Sequence, residues 1–132
     1  MARILVVDDE PDIVETIRFV LESRGHKVIE ARDGMEALDR ARNMSPDIIF
    51  LDVMMPKLDG YKVCRMLKFD SQYRNIPIIL LTARAGSRDI SMGEEVGADE
   101  YLTKPFDIEK VVSLVEKLAG NGGGTDMVGG TP

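Results

Sequence analysis

Five short apolar runs, each ending abruptly at a polar residue, constrain this chain more than any other feature. Ile4-Leu5-Val6-Val7 stops at Asp8-Asp9, and Asp47-Ile48-Ile49-Phe50-Leu51 stops at Asp52. Ile76-Pro77-Ile78-Ile79-Leu80-Leu81 stops at Thr82, and the short Glu100-Tyr101-Leu102 ends before Lys104-Pro105. Lys27-Val28-Ile29-Glu30-Ala31 is a weaker run between the first and third. Most are apolar at consecutive positions, so both faces of each strand need cover. That is the pattern of parallel strands with helices on both sides of the sheet.

Between the runs the period changes to that of helices. Pro11 is a favourable first helical residue, and Ile13, Val14, Ile17, Val20 and Leu21 then form one stripe that Gly25 can stop. Asp33-Gly34 opens a second helix with Ala37, Leu38 and Ala41 inward, and Asp59 can cap a third with Val63, Cys64 and Leu67 inward. The fourth, roughly Ser87 to Val96, is poorly patterned and contains Gly93, which marks it as the least stable. Asp107 can cap the last, with Ile108, Val111, Val112, Val115 and Leu118 as its stripe. Five strands alternating with five helices, joined by right-handed crossovers, predict a doubly wound α/β parallel sheet.

Composition narrows function by exclusion. The 132 residues carry 17 basic and 23 acidic side chains, a formal charge of −6, which disfavours a phosphate-backbone binder. Cys64 is the single cysteine, so no internal disulfide and no paired-cysteine metal knuckle can form. His26 has no second His or Cys nearby and is expected to have no metal role. No apolar run approaches the ~18 residues of a membrane span, and the start lacks the pattern of a secretory signal. A cytoplasmic protein is the expectation. From Gly120 the composition turns glycine-rich, so residues 1–119 are expected to fold and 120–132 to form a flexible tail or truncated linker.

Open α/β sheets bind ligands beyond the carboxyl ends of their strands. Asp8, Asp9, Asp52, Thr82 and Lys104 all fall there. A single Asp after a strand is ordinarily a turn or cap residue. Three together raise one another's pKa values unless a cation compensates. Mg²⁺ suits such a site, because it takes one or two carboxylates and leaves room for phosphate oxygens. A metal, a carboxylate nucleophile and phosphate-gripping groups together point to phosphoryl transfer through an aspartyl-phosphate.

The matching segments are Ile4 to Glu10, Asp47 to Asp52, Met55-Pro56-Lys57-Leu58-Asp59-Gly60, Leu81-Thr82-Ala83, Gly97 to Leu102 and Lys104-Pro105-Phe106. In order and spacing they resemble the receiver domain of two-component response regulators. The resemblance covers Arg3 to Leu118 and implies the flavodoxin-like, CheY-like strand order 2-1-3-4-5. It implies that Asp52 is the phosphoacceptor and that Asp8, Asp9, Asp52 and the Met54 backbone carbonyl hold Mg²⁺. It makes Thr82 the switch hydroxyl, Lys104 the phosphoryl-pairing lysine and Tyr101 the aromatic switch. The bond before Pro105 is expected to be cis. Met54 and Arg84 lie where family members tune phosphoryl lifetime, although Met54 and Met55 read first as packing and loop residues.

The implied role is a regulatory phosphoacceptor, not a turnover enzyme. Its donor would be a sensor histidine kinase or phosphotransfer protein, and its output a downstream protein or fused domain. The face made by helix four, strand five and helix five is the implied homodimer surface, and no direct nucleic-acid binding is expected. Two rival readings carry less. A small-molecule phosphohydrolase ordinarily has a second Asp two residues after the nucleophile, where this chain has Met54. A nucleotide binder would show a glycine-rich phosphate loop after the first strand, and none is present.

Overall fold

The computed structural model describes residues 1–55, 58–83 and 87–123. The strands are β1 Arg3–Val7, β2 Lys27–Ala31, β3 Ile48–Asp52, β4 Ile78–Thr82 and β5 Glu100–Thr103. They alternate with helices α1 Pro11–Ser23, α2 Gly34–Met44, α3 Gly60–Lys68, α4 Ser87–Glu95 and α5 Ile108–Gly123. All neighbouring strands pair in parallel, in the order β2-β1-β3-β4-β5. The expected topology is thus the observed one.

Each strand splits its apolar residues between two cores. Leu5, Val7, Ile49, Leu51, Ile78 and Leu80 face one side, under Ala37 and Leu38 of α2 and Val63, Cys64 and Leu67 of α3. Ile4, Val6, Ile48, Phe50, Ile79 and Leu81 face the other, under Val14, Ile17 and Leu21 of α1 and Val111 and Val115 of α5. This follows from the two-residue period of a strand: an apolar residue at every position feeds both layers.

Local signals act where expected. The Asp33 carboxylate accepts from the Glu36 amide at 2.9 Å, and that of Asp59 from the Lys62 amide at 3.0 Å, capping α2 and α3. Gly25 has φ of +88° just past α1. His26 is spoken for, its Nδ1 accepting from the Ala2 amide at 3.0 Å. Cys64 is fully buried.

The α5 backbone continues to Gly123, into the segment expected to be tail. Residues 124–132, like Pro56, Lys57 and Arg84, lie outside the described residues. Among the described residues no helix is long and apolar enough to cross a membrane.

Candidate phosphoryl-transfer site

Register brings the polar strand ends together. Val7 pairs with Leu51, so Asp8 and Asp52 come next on adjacent strands. Asp52 pairs with Leu81, and Thr82 with Thr103. The Lys104 amide donates to the Thr82 carbonyl at 2.7 Å, seating Lys104 at the same edge. β1 lies between β2 and β3, so the chain leaves it in one direction and returns on the other side. The crevice at that reversal is where this topology places ligands.

Asp8, Asp52 and Thr82 are the buried polar residues of this edge. One oxygen of each carboxylate is held by a backbone amide two residues on. The Glu10 amide donates to Asp8 Oδ1 at 2.9 Å, and the Met54 amide to Asp52 Oδ1 at 3.3 Å. Lys104 Nζ stands 2.8 Å from Asp8 Oδ2, 3.2 Å from Glu10 Oε1 and 3.5 Å from Asp52 Oδ1. The Lys104–Pro105 bond is cis.

One ammonium therefore answers two buried carboxylates and an exposed one. Burial, and then the neighbouring Asp8 charge, push the Asp52 carboxyl from its ordinary 3.8 up to about 6, against the opposing pull of Lys104. Burial works against the Lys104 charge too. Its hydrogen bond to Asp8 and the Asp52 charge outweigh that cost and hold its pKa above the usual lysine value.

The backbone under Asp52 is clamped by α3. The Gly60 amide donates to the Val53 carbonyl at 3.1 Å. A Cβ on Gly60 would stand 2.2 Å from the Asp52 carbonyl oxygen, so only glycine lets α3 begin this close.

The donor set suits a hard divalent cation. Carboxylate oxygens of Asp8, Asp9 and Glu10 lie within 4.8 Å of one another. Asp8 Oδ2 is buried and, among the described residues, has no hydrogen bond of good geometry beyond its ion-pair contact with Lys104. An all-oxygen, multiply anionic set of this kind fits Mg²⁺. A cleft of about 380 Å³ opens beside Asp8 and Asp9, between α1 and the end of β2.

Sequence reasoning assigned no role to Glu10, which joins both the acidic cluster and the Lys104 contacts. The signal was there, in a third consecutive acid after β1. Of the two residues read as packing and loop positions, Met54 is exposed in the loop after β3 and Met55 packs on the core. Tyr101 stands on β5 opposite Leu80, packed against the α2–α3 core layer.

Known proteins share this sequence pattern and fold. The family profile described as response regulator receiver domain matches residues 4–116. The chain is 47% identical over 116 residues to the alkaline phosphatase synthesis transcriptional regulatory protein PhoP of Bacillus subtilis, covering 88% of this chain and 48% of that protein. It is 40% identical to protein PilG of Pseudomonas aeruginosa, covering 86% of this chain and 84% of that one. The signal receiver domain of a histidine kinase from Syntrophus aciditrophicus superposes with a TM-score of 0.88 at 37% identity, covering 96% of both chains. The chain spans about half the length of relatives such as PhoP and the cyanobacterial regulator RpaA. Fold, strand-end chemistry and relatives converge, and the chain belongs to the receiver domain family of two-component response regulators.

Proposed function

We propose that Asp52 accepts a phosphoryl group and that its modification switches the domain between two conformations. The observation that carries this reading is the buried Asp52 carboxylate, beside Asp8 and answered, among the described residues, by the Lys104 ammonium. The donor is a phosphohistidine on a sensor kinase or phosphotransfer protein. An Asp52 carboxylate oxygen attacks phosphorus, the P–N bond breaks, and the leaving imidazole takes a proton from solvent.

Asp8, Asp9, Asp52 and the Met54 backbone carbonyl would hold Mg²⁺, which when bound neutralises charge on the transferring group. Lys104 exchanges its carboxylate contacts for the new phosphoryl oxygens, and the Thr82 hydroxyl turns toward them. Tyr101 follows Thr82, shifting α4 and β5. Phosphate biases two pre-existing states through contacts that only one of them makes.

The output is a downstream protein or a fused domain, with the α4–β5–α5 face as the homodimer surface. The chain's net charge of −6 disfavours nucleic-acid binding, and the regulator acts in the cytoplasm. The domain catalyses only its own phosphorylation and dephosphorylation.

Incubation with acetyl phosphate and Mg²⁺, read by intact mass, tests the chemistry. Wild type is expected to gain one phosphoryl group and Asp52→Asn none; uptake by the variant would refute the assignment. Sizing with and without beryllofluoride and Mg²⁺ tests the dimer.

A further inference from the structure

Gly93 lies in the last turn of α4, where glycine weakens a helix. Its backbone does not require glycine: Gly25 and Gly97 have positive φ, at +88° and +86°, and Gly93 does not. What requires glycine is a neighbour. A Cβ at position 93 would stand 2.2 Å from Tyr101 Cε1, 2.5 Å from its Oη and 2.7 Å from its Cζ. Real Cβ atoms essentially never come within 3.0 Å of another heavy atom, so no other residue fits while the ring lies there. The blocking atoms are the far end of a side chain and not backbone, so a methyl at 93 would move the ring rather than the helix.

We propose that Gly93 is the seat of the Tyr101 ring on α4 and a positioning residue for the switch. With hydrogen at this position, the ring and α4 share one resting arrangement. With a methyl, the ring is expelled, the resting arrangement loses that contact, and the population moves toward the alternative. The seat rests on contact geometry alone, whereas its effect on switching rests on the phosphoacceptor reading. By linkage, a ligand that binds the alternative state then binds more tightly, because less of the protein must be converted.

The test is a double-mutant cycle of Gly93→Ala and Tyr101→Ala, titrated with beryllofluoride in Mg²⁺ and followed by NMR of the tyrosine rings. Gly93→Ala is expected to shift the Tyr101 ring resonances before any beryllofluoride is added and to lower half-saturation severalfold. In the Tyr101→Ala background, glycine and alanine at 93 should titrate alike. An unmoved ring, an unchanged or raised half-saturation, or an alanine effect that survives loss of the ring overturns the proposal. If Gly93→Ala fails to fold, rescue by Tyr101→Ala supports the seat and failure to rescue overturns it. A wild-type chain indifferent to beryllofluoride refutes the phosphoacceptor reading instead, and the ring resonances then decide the seat alone.

Discussion

The two ends of the sheet hold the same residue types and use them oppositely. At the amino ends, the Asp47 carboxylate accepts from the Arg3 amide at 2.8 Å. Asp99 Oδ2 accepts from the Ile78 amide at 2.8 Å and pairs with Lys68 Nζ at 2.7 Å. Lys68 spends its other protons on the Arg74 and Ile76 carbonyls, at 3.0 and 2.9 Å. At the carboxyl ends, Lys104 faces Asp8, Asp52 and Glu10 together. One lysine is matched to its acceptors and ties strands to a loop. The other is outnumbered, leaving a buried carboxylate that titrates at about 6. Matched charge marks structure, and unmatched buried charge marks a site kept ready for a ligand.

The largest expected stability effect lies at the matched end. Lys68→Met would strand the Asp99 carboxylate and free two backbone carbonyls beside the half-buried loop before β4. The Asp99 side chain is 39% exposed, so the ion pair itself contributes at most about 1 kcal/mol. With about 1 kcal/mol for each carbonyl that loses its donor, the loss comes to about 3 kcal/mol, read as a lowered midpoint in urea. Phosphoryl uptake by the folded fraction should be intact. If uptake fails while the fold survives, the two ends are not separable.

Asp52→Asn should move stability the other way. The folded-state pKa of Asp52 is raised, so its favourable contribution is fully present below about 3.8 and is lost as pH rises through about 6. At pH 7 the ionised carboxylate is a burden of roughly 2–3 kcal/mol, from a shift of about two units at 1.36 kcal/mol each. The variant is therefore expected to be more stable than wild type at pH 7, with the advantage shrinking between pH 6 and 4. A gain independent of pH would mean that the cause is not ionisation.

Much of this contrast was legible in the chain. Each apolar run stops at a polar residue, and those residues meet because parallel strands all end on the same edge. Sequence could not show that Asp52 and Thr82 still belong to their strands. Their side chains read as strand ends, while their backbones pair with Leu81 and Thr103. Gly93 read only as a weakness in α4. Its purpose depends on an approach by Tyr101 from β5, and close approach between separate elements leaves no local periodicity. Glu10 was hidden differently: its tie to Lys104 spans 94 positions.

Mg²⁺ should reduce the imbalance without any substitution. A ligand that binds only the folded state stabilises by about 2.7 kcal/mol at a hundred times its dissociation constant. Thermal melts in rising Mg²⁺, without phosphodonor, are expected to climb toward that range. Asp9→Asn should blunt the rise and Asp47→Asn should not, because Asp47 is matched by a backbone amide. Equal blunting by both would indicate general screening and remove the case for a site.

The smallest expected effect separates burial from simple charge excess. Glu10 also claims Lys104, but its side chain is 61% exposed where that of Asp52 is 5% exposed. An exposed pair contributes about 0–1 kcal/mol, so Glu10→Gln should shift the urea midpoint by less than about half of the Asp52→Asn gain. Both variants remove one negative charge near the same ammonium and differ chiefly in how much water surrounds it. If Glu10→Gln stabilised as much as Asp52→Asn, surplus charge alone would account for the carboxyl end. If it is nearly silent, the strain belongs to carboxylates that the fold has desolvated, which is what a phosphoacceptor needs and a solvated acidic patch lacks.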